Sequence, residues 1–135
     1  MGKKILIIDD EPDIIFYLET ILGNNGYEVV SASDAMGGLE QAKKCVPDLI
    51  CLDIMMPRRS GMSMYRDLKK DKSLKNIPVV ILSAIGSAYG VKSPKFRKLF
   101  PEKEVPKPEA FFDKPLDVAK FLKFIEKLLE TNKNK

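Results

Sequence analysis

The stretch KILIIDDEP at residues 4–12 joins a short apolar run to two aspartates, a glutamate and a proline. Four further short apolar runs follow along the chain, and amphipathic stretches with helical spacing separate them. Near-continuous apolar strands that alternate with helices are typical of a parallel sheet covered by helices on both faces. Such sheets bind ligands beyond the carboxyl ends of their strands. The sequence therefore predicts an α/β fold whose functional residues lie at one edge of the sheet.

The order of these segments predicts five strands and a set of covering helices. The predicted strands are Lys4–Asp9, Tyr27–Ser31, Asp48–Asp53, Pro78–Ser83 and Ala110–Asp113. The predicted helices are Pro12–Leu22, a helix that Asp34 caps with apolar positions from Ala35 to Val46, Gly61–Lys70 and Leu116–Leu129. We expect one domain over residues 1–131 and a disordered tail at 132–135.

The composition is that of an ordinary globular domain of 135 residues, of which 44% are hydrophobic. No segment approaches the roughly 18 apolar residues that a membrane span needs, and the first apolar run is too short for a signal peptide. The two cysteines, Cys45 and Cys51, fit a reducing compartment. We therefore expect a cytoplasmic protein with no membrane partner. The net charge of +4 comes largely from scattered lysines, so we expect no nucleic-acid partner either.

Acidic, hydroxyl and basic residues stand at the ends of four predicted strands. Asp9 and Asp10 close the first strand, Asp53 closes the third, Ser83 closes the fourth, and Lys114 follows the fifth. Because the carboxyl ends of parallel strands share one edge, we expect these residues to converge on one cleft. Each residue alone also has a structural explanation. Aspartates make turns and cap helices, and Ser83 and Lys114 are also typical of loops.

The three carboxylates point to a bound cation, because carboxylates gathered in one cleft repel each other unless a cation neutralises them. Carboxylate oxygens are hard ligands, and the chain has neither a histidine nor a paired cysteine motif to recruit zinc. We therefore expect Mg²⁺ as the cofactor. Asp10 and Asp53 would bind it directly, Asp9 would bind it through a water, and the backbone carbonyl of Met55 would complete the protein ligands.

A carboxylate beside a divalent cation can act as a nucleophile toward phosphorus. Phosphoryl transfer depends mainly on positioning and on the neutralisation of oxygen charge. A carboxylate of the cleft can therefore form an aspartyl-phosphate. Lys114 would supply a point charge to one phosphoryl oxygen, and the Ser83 hydroxyl would donate a hydrogen bond to another.

Four strings resemble those of bacterial two-component response-regulator receiver domains. They are DDEP at 9–12, LDIMMP around Asp53, IPVVILSA at 77–84 and DKP at 113–115. The resemblance covers nearly the whole chain, and the four strings in order are far more specific than any one of them. It implies a (βα)5 flavodoxin-like three-layer sandwich with the strand order 2-1-3-4-5, as in single-domain chemotaxis regulators. It also implies a sensor histidine kinase or a phosphotransfer protein as the donor.

The resemblance further implies that Asp53 is the phosphoacceptor, and it implies two switch residues. Ser83 is the switch hydroxyl, and Phe111, three residues before Lys114, occupies the aromatic switch position. Phe111 is equally well explained as a core residue of the fifth strand. Because phenylalanine has no hydroxyl, a switch at this position would change burial without a phenolic hydrogen bond.

The chain departs from the family pattern between Ser83 and Lys114, which lie further apart than expected by roughly two helical turns. The segment Ser87–Glu109 contains four prolines, which exclude one long regular helix. We therefore expect a fourth helix that is irregular or shortened. The segment is either an insertion tolerated on the surface or an altered surface for an output partner that the sequence does not name.

The leading hypothesis is a signalling switch that is not a metabolic enzyme and catalyses only its own phosphorylation and dephosphorylation. One alternative is a Mg²⁺-dependent phosphohydrolase with an aspartyl nucleophile, but Met55 stands where such enzymes have a second acid. Another alternative is an interaction module that works without phosphorylation, against which the full acidic set argues.

Overall fold

A computed structural model of the chain describes residues 2–53, 61–83, 108–113 and 116–133. Within these residues, five parallel strands form one sheet in the order β2-β1-β3-β4-β5. The strands are β1 Lys4–Ile8, β2 Glu28–Ala32, β3 Leu49–Asp53, β4 Val79–Ser83 and β5 Ala110–Asp113. The flavodoxin-like strand order that the resemblance implied is confirmed.

Four described helices cover the two faces of the sheet. They are α1 Pro12–Asn24, α2 Ala35–Cys45, α3 Gly61–Lys70 and α4 Val118–Lys133. Alternate residues of the strands point to opposite faces. One core therefore lies between the sheet and α2 with α3, and the other lies between the sheet and α1 with α4. This is the predicted three-layer sandwich.

The first core is built from aliphatic strand residues and three large side chains of α3. Its members from the helices include Ala35, Ala42, Met64, Tyr65 and Leu68. The second core contains Leu18 and Leu22 of α1 with Phe121, Ile125 and Leu129 of α4. Phe112 of β5 meets the rings of Phe121 and Phe124 edge-on, with centroids 5.4 and 5.7 Å apart. The sheet is thus buried on both faces, which explains its near-continuous apolar strands.

The register of the central strands brings two predicted site residues side by side. Ile8 of β1 pairs with Leu52 of β3, so the next residues, Asp9 and Asp53, emerge together at the carboxyl edge of the sheet. The backbone N–H of Asp9 donates to the carbonyl of Ala32 at 3.1 Å, which extends the pairing with β2 by one residue. The acidic residues therefore leave the sheet from fixed backbone positions.

Local sequence signals account for the entry and packing of α2. The N–H of Gly37 donates to Asp34 Oδ1 at 2.7 Å, so the predicted Asp34 cap is confirmed. A Cβ at Gly38 would lie 2.8 Å from Ile8 Cδ1 and 2.9 Å from Met64 Cε. Glycine at this position therefore lets α2 approach β1 closely.

Two helix ends differ from the prediction. We expected Val46 on the apolar face of α2, but it lies beyond the helix with φ 42° and is 55% exposed. Pro47 follows it, and the ring of a proline clashes with the preceding residue when that residue is helical. At the other end of the chain, α4 continues past Leu129 to Lys133 and includes two residues assigned to the predicted tail. The division into a domain and a tail stays a prediction.

The expected irregular fourth helix lies outside the described residues. Of the segment Ser87–Glu109, the structure describes only residues 108 and 109. Met55 and Lys114 also lie outside the described residues. None of the described helices is both long and apolar enough to cross a bilayer.

Candidate functional site

The carboxyl edge of the sheet gathers the three predicted acidic residues. Asp9 and Asp10 follow β1 directly, and Asp53 is the last residue of β3. Asp9 is fully buried, Asp53 is 2% exposed, and Asp10 is partly exposed. Among the described residues, Asp9 and Asp53 are the only charged side chains in the buried class. The sequence prediction that these strand ends converge is correct for all three residues.

The structure adds a fourth carboxylate to this group. Each of Asp9, Asp10, Glu11 and Asp53 offers an oxygen atom, and these oxygens all lie within 4.8 Å of one another. Glu11 follows the acid pair and occupies the N-cap position of α1. We call these four residues the acidic cluster. The sequence analysis missed Glu11, although the third acid of the run DDE was a visible signal for it.

The backbone holds the acidic cluster in place at the start of α1. The N–H of Glu11 donates to Asp9 Oδ1 at 3.0 Å, so the loop folds back on the buried carboxylate. Pro12 follows as the first helical residue and fixes its own φ, which limits the freedom of this short connection. The Asp9 carboxylate is therefore a fixed element of the site.

Ionised carboxylates at this spacing repel one another. Burial strengthens the repulsion, because the effective dielectric constant around buried groups is lower than that of water. A divalent cation relieves the repulsion, and carboxylate oxygens are the hard ligands that Mg²⁺ prefers. The donor set of the acidic cluster therefore fits the expected cofactor.

The two predicted switch residues lie on the neighbouring strands β4 and β5. Ser83 is the last residue of β4 and pairs in register with Asp113, so its backbone ends at the same sheet edge as Asp53. Phe111 of β5 pairs with Ile81 and packs, partly buried, against the core under α2 and α3. This position agrees both with a core residue of the fifth strand and with an aromatic switch residue. Its role stays a prediction.

Comparison with known proteins agrees with this geometry. A family profile described as the response regulator receiver domain matches residues 5–93, well over half of the chain. The match ends inside the proline-rich segment Ser87–Glu109, where we found the departure from the family pattern.

Curated relatives match over a similar length. The alkaline phosphatase synthesis transcriptional regulatory protein PhoP of Bacillus subtilis (strain 168) is 39% identical over 84 residues, which are 62% of this chain and 34% of that protein. The response regulator PleD of Caulobacter vibrioides (strain NA1000 / CB15N) is 39% identical over 85 residues, 63% of this chain and 19% of that protein. The chain thus spans about a third or less of the length of these relatives.

Solved structures extend the likeness over the whole chain. The chemotaxis protein CheY4 of Vibrio cholerae superimposes with a TM-score of 0.80 at 25% identity, covering 95% of this chain and 99% of that one. A CheY-like response regulator receiver domain protein from Methanospirillum hungatei JF-1 gives a TM-score of 0.80 at 25% identity, with both chains fully covered. With the profile match, the sheet order and the acidic edge, these likenesses lead to one conclusion: the chain belongs to the response regulator receiver domain family of two-component signalling.

Proposed function

We propose that this chain accepts a phosphoryl group on Asp53 from the phosphohistidine of a sensor histidine kinase or phosphotransfer protein. The observation that carries the proposal is the position of Asp53. It is buried at the end of β3, and one of its oxygens lies within 4.8 Å of oxygens from the other three carboxylates of the acidic cluster. Membership of the receiver family supports a phosphoacceptor role for such a residue.

The reaction is proposed to depend on Mg²⁺. Asp10 and Asp53 would bind the ion directly and Asp9 would bind it through a water, with the Met55 carbonyl as a further ligand. When bound, the ion neutralises part of the charge of the acidic cluster and of the incoming phosphoryl group. The shared carboxylate chemistry of the cluster supports this assignment.

The transfer itself needs no base from this chain. An Asp53 oxygen approaches phosphorus opposite the imidazole nitrogen of the donor, and the O–P bond forms as the N–P bond breaks. The electron pair of the broken bond stays on the imidazole, which takes up a proton. A carboxylate nucleophile carries no proton that a base must remove, which suits a chain without histidine.

The remaining predicted residues would bind and sense the phosphoryl group. Lys114 would contact one phosphoryl oxygen with its ammonium group, and the Ser83 hydroxyl would donate to another. A shift of Ser83 toward the phosphoryl group would act on β4, whose neighbour β5 carries Phe111. Phe111 would then change its burial against the α2 and α3 side of the sheet, which is the proposed signal to an output partner.

The protein is thus proposed to be a switch that catalyses only its own phosphorylation and dephosphorylation. We infer a cytoplasmic location from the kinase chemistry, and both Cys45 and Cys51 are free thiols, as a reducing compartment would keep them. The proposal includes no nucleic-acid or membrane partner for this chain.

The experiment that tests the proposal is an intact-mass measurement after incubation with phosphoramidate or acetyl phosphate and Mg²⁺. The wild type should gain one phosphoryl group, and Asp53→Asn should gain none. Asp48→Asn is the matched control, because Asp48 precedes the same strand at its opposite end. This control should be labelled like the wild type, and chelation of Mg²⁺ should suppress labelling of both.

The other outcomes would favour the two alternatives. Equal labelling of the wild type and Asp53→Asn would overturn the assignment of the phosphoacceptor. Sustained turnover of phosphate esters, many per protein molecule, would favour a phosphohydrolase. A folded wild type that takes up no phosphoryl group from either donor would favour an interaction module that works without phosphorylation.

A further inference from the structure

Glu11 differs from the other members of the acidic cluster in its surroundings. It is exposed to solvent, whereas Asp9 and Asp53 are buried. It occupies the N-cap position of α1, yet its side chain makes no capping hydrogen bond to the first turn. Its carboxylate instead lies with an oxygen within 4.8 Å of the oxygens of the three aspartates. The side chain thus adds a negative charge to the cluster.

We propose that Glu11 sets the balance of the site between the divalent cation and the phosphoryl group. Its charge strengthens the binding of the cation and opposes the extra negative charge of the phosphorylated state. The proposal deepens the function proposed above and rests on it, since both need a cation and a phosphoryl group at the acidic cluster.

The charges of the site give the two effects opposite signs. The acidic cluster holds four carboxylates, so Glu11 makes the site one charge more negative than the three aspartates alone would. An aspartyl-phosphate carries about two negative charges where the Asp53 carboxylate carried one. Glu11 attracts the cation and repels this additional charge, and both interactions act over distances of a few ångströms.

Asp13 provides a matched control for these effects. It lies in the first turn of the same helix, it is exposed, and it is also favoured by the positive end of the helix dipole. Among the described residues, the acidic cluster does not include Asp13. Asp13→Asn therefore removes the same charge from the same turn and leaves the cluster intact. The Asp13 carboxylate lies outside this group of oxygens, so it acts on the cation more weakly than Glu11, and an ionic strength of about 0.1 M screens it further.

The first measurement is calorimetric titration of the full chain with Mg²⁺ at this ionic strength. We expect Glu11→Gln to weaken Mg²⁺ binding about three- to tenfold relative to the wild type. Asp13→Asn should stay within about twofold of the wild type. Glu11→Asp keeps the charge and should recover most of the lost affinity. Circular dichroism spectra and melting curves confirm that each variant is folded.

The second measurement is a titration with beryllofluoride, a phosphoryl mimic, at saturating Mg²⁺. Here Glu11→Gln should bind about threefold more tightly than the wild type and Asp13→Asn. A merely structural defect at the site would weaken both ligands together, and that result would overturn the proposal. Equal Mg²⁺ affinity in Glu11→Gln and Asp13→Asn would overturn it as well. If the wild type itself binds no Mg²⁺, the proposed function fails first, so the two failures are distinguishable.

Discussion

The two edges of the sheet differ in how their charged side chains are arranged. At the amino edge, charges of opposite sign meet each other and the backbone. Asp48 Oδ2 accepts from the backbone N–H of Lys4 at 2.8 Å, and Lys4 Nζ lies 3.8 Å from a carboxylate oxygen of Glu28. Lys69 of α3 donates to the carbonyl of Ile77 just before β4, at 2.9 Å. These contacts hold the strand starts together.

At the carboxyl edge, the described residues instead gather carboxylates in one place. The acidic cluster brings four carboxylates within 4.8 Å of one another, and two of them are buried. The same five strands thus carry pairs of opposite charge at one end and a group of four carboxylates at the other. The residues of the amino edge stabilise the fold, and those of the carboxyl edge are proposed to bind a cation and a phosphoryl group.

The largest expected effect is the stabilisation of the carboxyl edge by Mg²⁺. A ligand present at 100 times its Kd raises the free energy of unfolding by about 2.7 kcal/mol. We expect this gain for the wild type and for Asp48→Asn, but a clearly smaller gain for Asp10→Asn. Urea denaturation with and without Mg²⁺ measures it, followed by circular dichroism because the chain has no tryptophan. An equal gain in Asp10→Asn would remove Asp10 from the cation site.

A second prediction concerns the interior between the two edges. Cys51 lies in β3, two residues before Asp53, and burial raises the pKa of its thiol to about 12 from an ordinary value of 9.0. The folded state therefore keeps a proton that the unfolded state releases. The stability that this provides is present below pH 9 and is lost as the pH rises from 9 toward 12.

Between pH 8 and pH 10, the Cys51 thiol should lower the free energy of unfolding by about 1.4 kcal/mol. Urea denaturation at both pH values measures the loss in the wild type and in Cys51→Ala, where this part of the pH dependence should vanish. Identical pH dependence of the two proteins would show that a charge is tolerated in the interior as it is at the carboxyl edge.

A third, smaller effect compares the helix packing near the two edges. Gly23 lies at the end of α1 near the amino edge, and a Cβ there would meet no atom within 4 Å. Gly23→Ala should raise the free energy of unfolding by about 0.5–1 kcal/mol, because alanine favours the helix. Gly38→Ala should lower it by about 1 kcal/mol, since its Cβ would press on Ile8 beside the acidic cluster. If both variants are equally stabilised, α2 does not pack tightly on β1.

Much of this architecture could be predicted from the sequence, because it depends on local patterns. The five apolar runs gave the strands to within one residue at each end, and Asp34 gave the start of α2. The helix ends were harder to predict. Val46 continues the apolar pattern of α2, but the chain leaves the helix before Pro47.

The site could be predicted as far as strand ends determine it. Asp9, Asp10 and Asp53 converge because parallel strands end at one edge, which the pattern alone implies. Glu11 follows β1 by three residues, and its participation depends on how the connection to α1 folds back on Asp9. That turn is local, but the approach of the Glu11 carboxylate to Asp53 of β3 is tertiary, so the run DDE alone could not establish it.

The most direct test of the contrast between the edges is the stability of the cation-free protein. Asp10→Asn and Asp48→Asn make the same chemical change at opposite ends of the strands, and urea denaturation in excess chelator at low ionic strength measures both. Asp10→Asn should raise the free energy of unfolding by about 1 kcal/mol, because it removes a repelling charge from the acidic cluster. Asp48→Asn should lower it by about 0.5 kcal/mol, because it weakens the hydrogen bond from Lys4. If Asp10→Asn is instead less stable than the wild type, the carboxylates of the acidic cluster do not repel one another in the cation-free protein, and the account is wrong.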